Sequence, residues 1–351
     1  MKIVVLSGGR STERNVSLSS GVKITNALRG KGYEVALVDS FLGQALDPSQ
    51  SVEDLFSTQL ADESNLVIAD EVLTDDKINA LRTDGTRGLL GPNVLKICQA
   101  ADLVYLGLHG EDGENGKIQA TLDVFDIRYT GSGPLASGLA MNKKFSKEVF
   151  MQNQIPTAPY ITTKTADVDE SAITFGFPVV VKPANGGSSV GTHIVQKHAD
   201  LKESLLDAFK FDDDVLIEKY IKGREFSVAI VDGEVLPPVE IVVTQGWYDF
   251  QHKFQDNNQT QFITPPELDH ETLEALNKWT KATFKALNME NYGRIDFLVN
   301  DEGVYVMEAN SLPGMTPRSL IPQEAAVVGI NYADLCEKII QSKWRFYEDQ
   351  A

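Results

Sequence analysis

Hydrophobic positions occur in short blocks with two spacings. The chain opens with the apolar run "KIVVLS", a Gly turn, and then a stretch in which Val16, Ala27 and Leu28 share one helical face. Gly30 and Gly32 stop that helix, and Tyr33 to Val38 resumes a strand pattern. Strand, helix and strand in this order predict a βαβ unit, and so an α/β domain with a parallel sheet. "ADLVYLGLHG" is a further buried-strand run that ends at His109-Gly110 and enters the acidic turn "EDGENG". "KIQATLDVFDI" then reads as a helix. Residues 44–93 are acidic and weakly periodic, and read as helices and loops peripheral to the sheet.

A Gly/Ser segment, "YTGSGPLASG", leads into the helical pattern "LAMNKKFSKEVFMQNQ", and the first domain change is placed at Gly131. Next comes "FPVVVKPANGGSSVGTHIV", two strand-like runs around a Gly/Ser loop. "DVLIEKYIKGREFSVAIVDGEVLPPVEIV" reads as a series of strands with a turn at Asp232-Gly233. "ETLEALNKWTKATFKALN" is an amphipathic helix with Leu273, Leu276, Phe284 and Leu287 on one stripe. These blocks divide the chain into domains 1–131, 132–218 and 219–351, with no internal repeat and no low-complexity tract.

Length and charge narrow the possibilities further. A chain of 351 residues suits two or three domains, and 42% hydrophobic residues suffice for real cores. No apolar run approaches the roughly 18–20 residues that cross a bilayer. The start is too short for a signal peptide, so the expected location is cytoplasmic. A net charge of −18 argues against nucleic acid or an anionic membrane as the main partner. It leaves room for nucleotides, which need only a local cluster of lysines and amides. Cys98 and Cys336 fit no metal spacing and read as reduced, partly buried thiols.

Three constellations carry candidate chemistry. In a P-loop or dinucleotide fold, phosphate-holding glycines lead into a helix, whereas here "ANGGSSVG" is followed by the strand-like "THIVQ". The loop is therefore either a flap that closes over phosphates or a plain Gly-rich hairpin. Gly186, Gly187 and Gly191 supply the bends, Ser188 and Ser189 turn inward, and Lys182 at the strand end reaches a phosphate oxygen. The second is "GRIDFLVNDEGVYVMEAN". Strand alternation puts Arg294 and Asp296 on one face, and Glu308 with Asn310 on one face of the next strand. A three-residue loop Asp301–Gly303 that pairs Asn300 with Val304 sets Asp296 opposite Glu308 and Arg294 opposite Asn310. Two carboxylates and a carboxamide together suit Mg²⁺ shared with substrate phosphates, the alternative being a solvated polar face. The third is "GGRSTERNVSLSSG", at the carboxyl edge of the first strand, which lacks G-x-G-x-x-G. Glu13 there either holds an ammonium group or caps the helix. His109, at another strand end, reads as either structural or catalytic.

In this order these segments resemble the D-alanine–D-alanine ligases of the ATP-grasp fold, from Gly8 to about Gly329. The resemblance implies an N-terminal parallel α/β domain plus two α+β domains that clasp ATP. The flap is then a lid over the triphosphate. It also implies formation of an acyl phosphate on one D-alanine, attack on it by the amine of a second, and a homodimer. By motif, Lys143, Lys182, Ser189 and Lys253 are expected at ATP phosphates, Glu218 at the adenine and Glu225 at the ribose. Asp296, Glu308 and Asn310 are expected to hold Mg²⁺ or Mn²⁺. Glu13 is expected to anchor the first ammonium and His109 to lie near its carboxylate. Arg294 and the Gly314 amide are expected at the oxyanion, and Ser319 with the Leu320 amide at the second carboxylate. Ser188 should link Glu13 to a mobile loop containing Tyr248, which lies near the substrate. The sequence departs from the family at Asn115, at Arg318, and at Phe254, where D-alanine-specific members usually carry tyrosine. Phe254 resembles members that accept D-lactate and form an ester, and so raises a D-alanine–D-lactate ligase as the alternative.

Overall fold

β1 (Lys2–Ser7) pairs in parallel with β2 (Glu34–Asp39) on one side and with β3 (Leu103–Leu106) on the other. The expected βαβ unit is formed with helix Arg14–Gly30 as its crossover. Every residue of β3 is buried, as parallel strands covered on both faces require. The protein is seen here as a computed structural model that describes residues 1–47, 49–61, 74–86, 88–243 and 260–350. Of the acidic stretch 44–93, the described part holds a 3₁₀ turn at Val52–Leu55 and a short helix at Asp75–Ala80, off the three-stranded sheet.

The second sheet is antiparallel: β4 (Tyr160–Thr163), β5 (Val179–Pro183), β6 (His193–Val195) and β7 (Val215–Lys219), in the order β4-β7-β5-β6. β5 and β6 pair Val179 with Val195 and Val181 with His193, so the Gly/Ser loop does join two strands of one sheet. The third sheet contains β8 (Arg224–Val231), β9 (Glu234–Val235), β10 (Val239–Val243), β11 (Thr260–Ile263), β12 (Tyr292–Asn300) and β13 (Gly303–Asn310). Its order is β11-β10-β8-β12-β13, with β9 added to β8 through the Asp232-Gly233 turn. Both turn residues have positive φ, 56° and 77°, as a two-residue hairpin turn of the mirror-image type demands.

Helices are shared between these layers. Helix Pro134–Met141 and helix Lys143–Gln152 place Ala136, Ala140 and Phe150 in the core under the third sheet, with Phe226, Ile295, Phe297 and Leu276. The last helix, Tyr332–Glu348, returns to the first sheet and buries Leu335, Cys336, Ile339 and Ile340 there. Cys98 and Cys336 are both free and fully buried, and burial pushes both thiols up to about 12. No helix among the described residues is long and apolar enough to cross a membrane.

Candidate active site

β12 and β13 set the floor of the site. Arg294 lies opposite Asn310 and Asp296 opposite Glu308, which is the register expected from alternation. The hairpin reaches that register by a different route. Asn300 pairs with Gly303, not Val304, so the turn has two residues, Asp301 and Glu302. The Asn300 carboxamide tightens it by accepting the Glu302 N–H at 2.9 Å. The residue saved at the turn reappears as a bulge on β13 between Val306 and Glu308. β13 is an edge strand, and there Pro156-Thr157 docks on it: Val306 N–H donates to the Pro156 carbonyl at 2.8 Å. Bulges concentrate at such edges.

The acidic groups on this floor are matched by donors. Arg294 makes two bonds of 2.9 Å to the Asp296 carboxylate, and Asn310 Nδ2 adds a third at 3.0 Å. Lys143 Nζ stands 3.5 Å from Glu308 Oε2 and also donates to the Gly186 carbonyl in the lid. Lys143 thus spans floor and lid. It opens helix Lys143–Gln152, whose N-terminus is capped by Asn142 through the Phe145 N–H.

Two of the nucleotide-side candidates meet on the central sheet. Lys182 on β5 pairs with Glu218 on β7 at 2.9 Å, and both are buried. A second ammonium, Lys147, lies 3.3 Å from the same carboxylate. Burial opposes ionisation of Glu218, but the two lysines outweigh it and hold its pKa below the usual glutamate value. Glu225 sits at the start of β8, in register with Leu298 and Ile241. In the lid, Ser188 and Ser189 take φ of 50° and 59° beside Gly186 and Gly191. That left-handed backbone costs energy for residues with a Cβ, so the loop must be held by its contacts.

Ser188 supplies one such contact. Its hydroxyl donates to the Glu13 carboxylate, 175 residues away in sequence. Glu13 stands at the N-cap of its helix, but its side chain makes no capping bond there. Ser11 braces the same loop: its hydroxyl donates to the His109 carbonyl at 2.7 Å and accepts the Glu13 N–H at 3.2 Å.

His109 is buried with both ring nitrogens engaged: Nδ1 lies 3.1 Å from the Leu312 carbonyl and Nε2 2.9 Å from the Ser20 hydroxyl. A carbonyl can only accept, so Nδ1 carries the proton and Nε2 accepts from Ser20. Burial lowers the histidine pKa, more than nearby Glu13 raises it, and the ring is neutral. His109 therefore ties the first sheet to the loop after β13. That loop brings Gly314 against Ser319, where a Cβ on Gly314 would lie 3.1 Å from Ser319 Oγ. Ser319 Oγ accepts the Thr316 N–H at 3.0 Å and leaves helix Leu320–Val327 without a side-chain cap. Its first amides, Leu320 included, are thus oriented as an anion site.

The structure thus brings Glu13 to Ser188, and Arg294 to Asp296 and Asn310. It also joins Lys143 to Glu308, and Lys182 to Glu218. Tyr248, Lys253 and Phe254 lie outside the described residues. Three residues were missed by sequence reasoning. Lys147 sits one helical turn after Lys143 in "NKKFSK", and that spacing was the available signal. Half-buried Glu114 accepts the Gly110 N–H at 2.9 Å, and burial followed by the charge of Glu13 pushes it up to about 8. Glu324 is fully buried behind the floor, accepts the Ala229 N–H at 2.6 Å, and is held well above the carboxylate range by burial.

The sequence is similar to two family profiles, "D-ala D-ala ligase N-terminus" over residues 2–132 and "D-ala D-ala ligase C-terminus" over residues 149–341. It is 55% identical over 349 residues to a D-alanine–D-alanine ligase of Pediococcus pentosaceus, covering 99% of each chain. It is 51% identical over 350 residues to one of Lacticaseibacillus casei, covering 99% of this chain and 97% of the relative. In structure it is similar to the crystal structure of a D-alanine–D-alanine ligase from Bacillus anthracis complexed with ATP. There the TM-score is 0.76 and the identity 31%, with both chains fully covered.

Proposed function

This chain belongs to the D-alanine–D-alanine ligase family, with an ATP-grasp fold, and on that premise we propose the following reaction and residue roles. It is an ATP-dependent ligase that joins two D-alanine molecules. One D-alanine carboxylate attacks the γ-phosphorus of ATP, ADP leaves, and an acyl phosphate forms. The amine of the second D-alanine attacks that carbonyl carbon and phosphate departs. The product suits peptidoglycan precursor synthesis in the cytoplasm, and a homodimer is carried over with the family.

The observation that carries this reading is the floor under the lid. Asp296, Glu308 and Asn310 meet in cross-strand register, with Lys143 joining Glu308 to the lid. In the first step two anions must approach each other, so cations must surround both. Lys143 and Lys182 serve the phosphates, Glu218 the adenine and Glu225 the ribose. The donor set fits magnesium in its chemistry: two hard carboxylates in cross-strand register with a carboxamide. Bound there by Asp296, Glu308 and Asn310, magnesium would supply charge neutralisation for the transferring phosphoryl group.

The remaining roles belong to the chain itself. Glu13 holds the first ammonium, and its bond from Ser188 draws the lid over the site and keeps water from the acyl phosphate. Neutral His109 fixes the loop that presents Gly314. Arg294 and the Gly314 amide stabilise the tetrahedral oxyanion, and Ser319 with the Leu320 amide takes the second carboxylate. The D-lactate alternative rested on Phe254, and no relative reported above is named for lactate.

The test is turnover of ATP with D-alanine alone, then with D-lactate added. The account expects ADP, phosphate and D-alanyl-D-alanine from D-alanine alone. Turnover that requires D-lactate would overturn it.

A further inference from the structure

Helix Lys143–Gln152 lies where the central and C-terminal sheets meet, and it presents two lysines on one face. Lys143 points to the lid and to Glu308. Lys147, one turn later, is only 1% exposed. Its ammonium donates to Thr157 Oγ1 at 2.6 Å and to the Ala158 carbonyl at 2.9 Å, and its third partner is Glu218 Oε1 at 3.3 Å. The Tyr160 ring lies 5.0 Å from the same nitrogen. Thr157 passes the contact on, since its hydroxyl donates to the Val306 carbonyl at 2.8 Å. Val306 borders the β13 bulge, two residues before Glu308. One buried ammonium therefore touches the carboxylate of one sheet and, through one hydroxyl, the strand of the other.

Two hydrogen bonds and one ion pair offset the cost of burying this ammonium, and a methionine of similar volume would fill the space without that cost. The bonding pattern is thus better explained by position than by stability. We propose that Lys147 is a positioning residue that fixes Glu218 towards the nucleotide and sets the central sheet against strand β13. This rests on the reading of Glu218 as a nucleotide-binding group. Burial lowers the lysine pKa to about 8 against the pull of Glu218, which accords with a dry, tightly coupled pair.

The experiment uses full-length Lys147→Met, Lys147→Arg, Glu218→Gln and the double variant Lys147→Met/Glu218→Gln. It measures equilibrium binding of a non-hydrolysable ATP analogue with Mg²⁺, the KM for ATP and for D-alanine, kcat, and thermal unfolding. Lys147→Met should raise the analogue Kd and the KM for ATP at least about tenfold, the loss expected when one charged hydrogen bond is displaced. kcat at saturation and the KM for D-alanine should change little. Lys147→Arg should recover part of the loss, and the double variant should bind no worse than the weaker single one. A folded Lys147→Met with unchanged ATP binding, or additive losses in the double variant, would overturn the proposal. If Lys147→Met does not fold, Thr157→Val decides: a several-fold rise in the KM for ATP supports the link, and no change overturns it. Unchanged ATP binding in Glu218→Gln would instead overturn the reading of Glu218. Weakened binding in Glu218→Gln beside normal binding in Lys147→Met would sink only the role of Lys147.

Discussion

In the hairpin β12–β13, Asp296 takes its partners from close by: Arg294 two residues away and Asn310 fourteen residues away. In the lid, Ser188 reaches Glu13 across 175 residues, and Gly186 takes Lys143 across 43. The hairpin is fixed by its own register and by β8, with which β12 pairs from Tyr292 to Val299. The lid has two serines with left-handed backbone and is held by groups from other parts of the chain. A floor organised before ligand arrives aims charge at the reaction without reorganisation. A lid held by contacts distant in sequence can open, and its closure depends on the Glu13 loop being in place.

The largest expected effect that separates the two regions is Arg294→Ala. It removes the bidentate partner of Asp296 and the proposed oxyanion donor. Steady-state turnover should fall about 10²–10³-fold, the cost of one lost oxyanion donor, with the lid contacts intact. Ser188→Ala strikes the other region. It should raise the KM for D-alanine about tenfold, as for a lost hydrogen bond to a carboxylate. In hydrogen exchange it should speed the amides of residues 186–191 and leave β12 and β13 unchanged. Equal acceleration in both regions would dissolve the comparison.

A smaller effect lies behind the floor. Glu324 has its pKa raised by burial, so the native state keeps a proton that the unfolded chain has released. Stability from this group is therefore full below the ordinary carboxylate pKa and falls as pH rises, by up to about 1.4 kcal/mol per pH unit, until the native pKa is reached. Glu324→Gln should flatten the pH dependence of chemical denaturation between about pH 5 and pH 7. An unchanged slope would mean that Glu324 is ionised in the native state. The smallest effect is at the hairpin tip. Glu302→Ala removes an exposed ion pair to Lys219 at 3.7 Å and should cost less than about 0.5 kcal/mol by urea denaturation.

What could be read from the sequence follows the same division. The opening βαβ unit, the lid strands and the pairing of Asp296 with Glu308 are local patterns of period 3.6 or 2. All of them appear in the fold. The hairpin turn was misjudged because its length is set by the Asn300 side chain, and the compensating bulge by Pro156-Thr157 docking on β13. Neither interaction has a periodic signature. The neutral state of His109 comes from burial and its tautomer from Leu312, 203 residues later, and from Ser20, which only the folded chain brings near. Lys147 and Glu324 look like surface charges on amphipathic helices until tertiary packing buries them. The link from Ser188 to Glu13 was foreseen only through the family resemblance, since no local pattern joins the two.

The most direct measurement is D-alanine-dependent ATP turnover by Glu308→Gln, in a variant whose thermal unfolding matches the parent. The substitution keeps the shape of the floor and removes one of its two carboxylate charges. Turnover should fall at least about a hundredfold at saturating Mg²⁺, because the metal's share of transition-state charge stabilisation is several kcal/mol. Turnover within threefold of the parent would contradict the claim that Asp296 and Glu308 together grip the magnesium nucleotide.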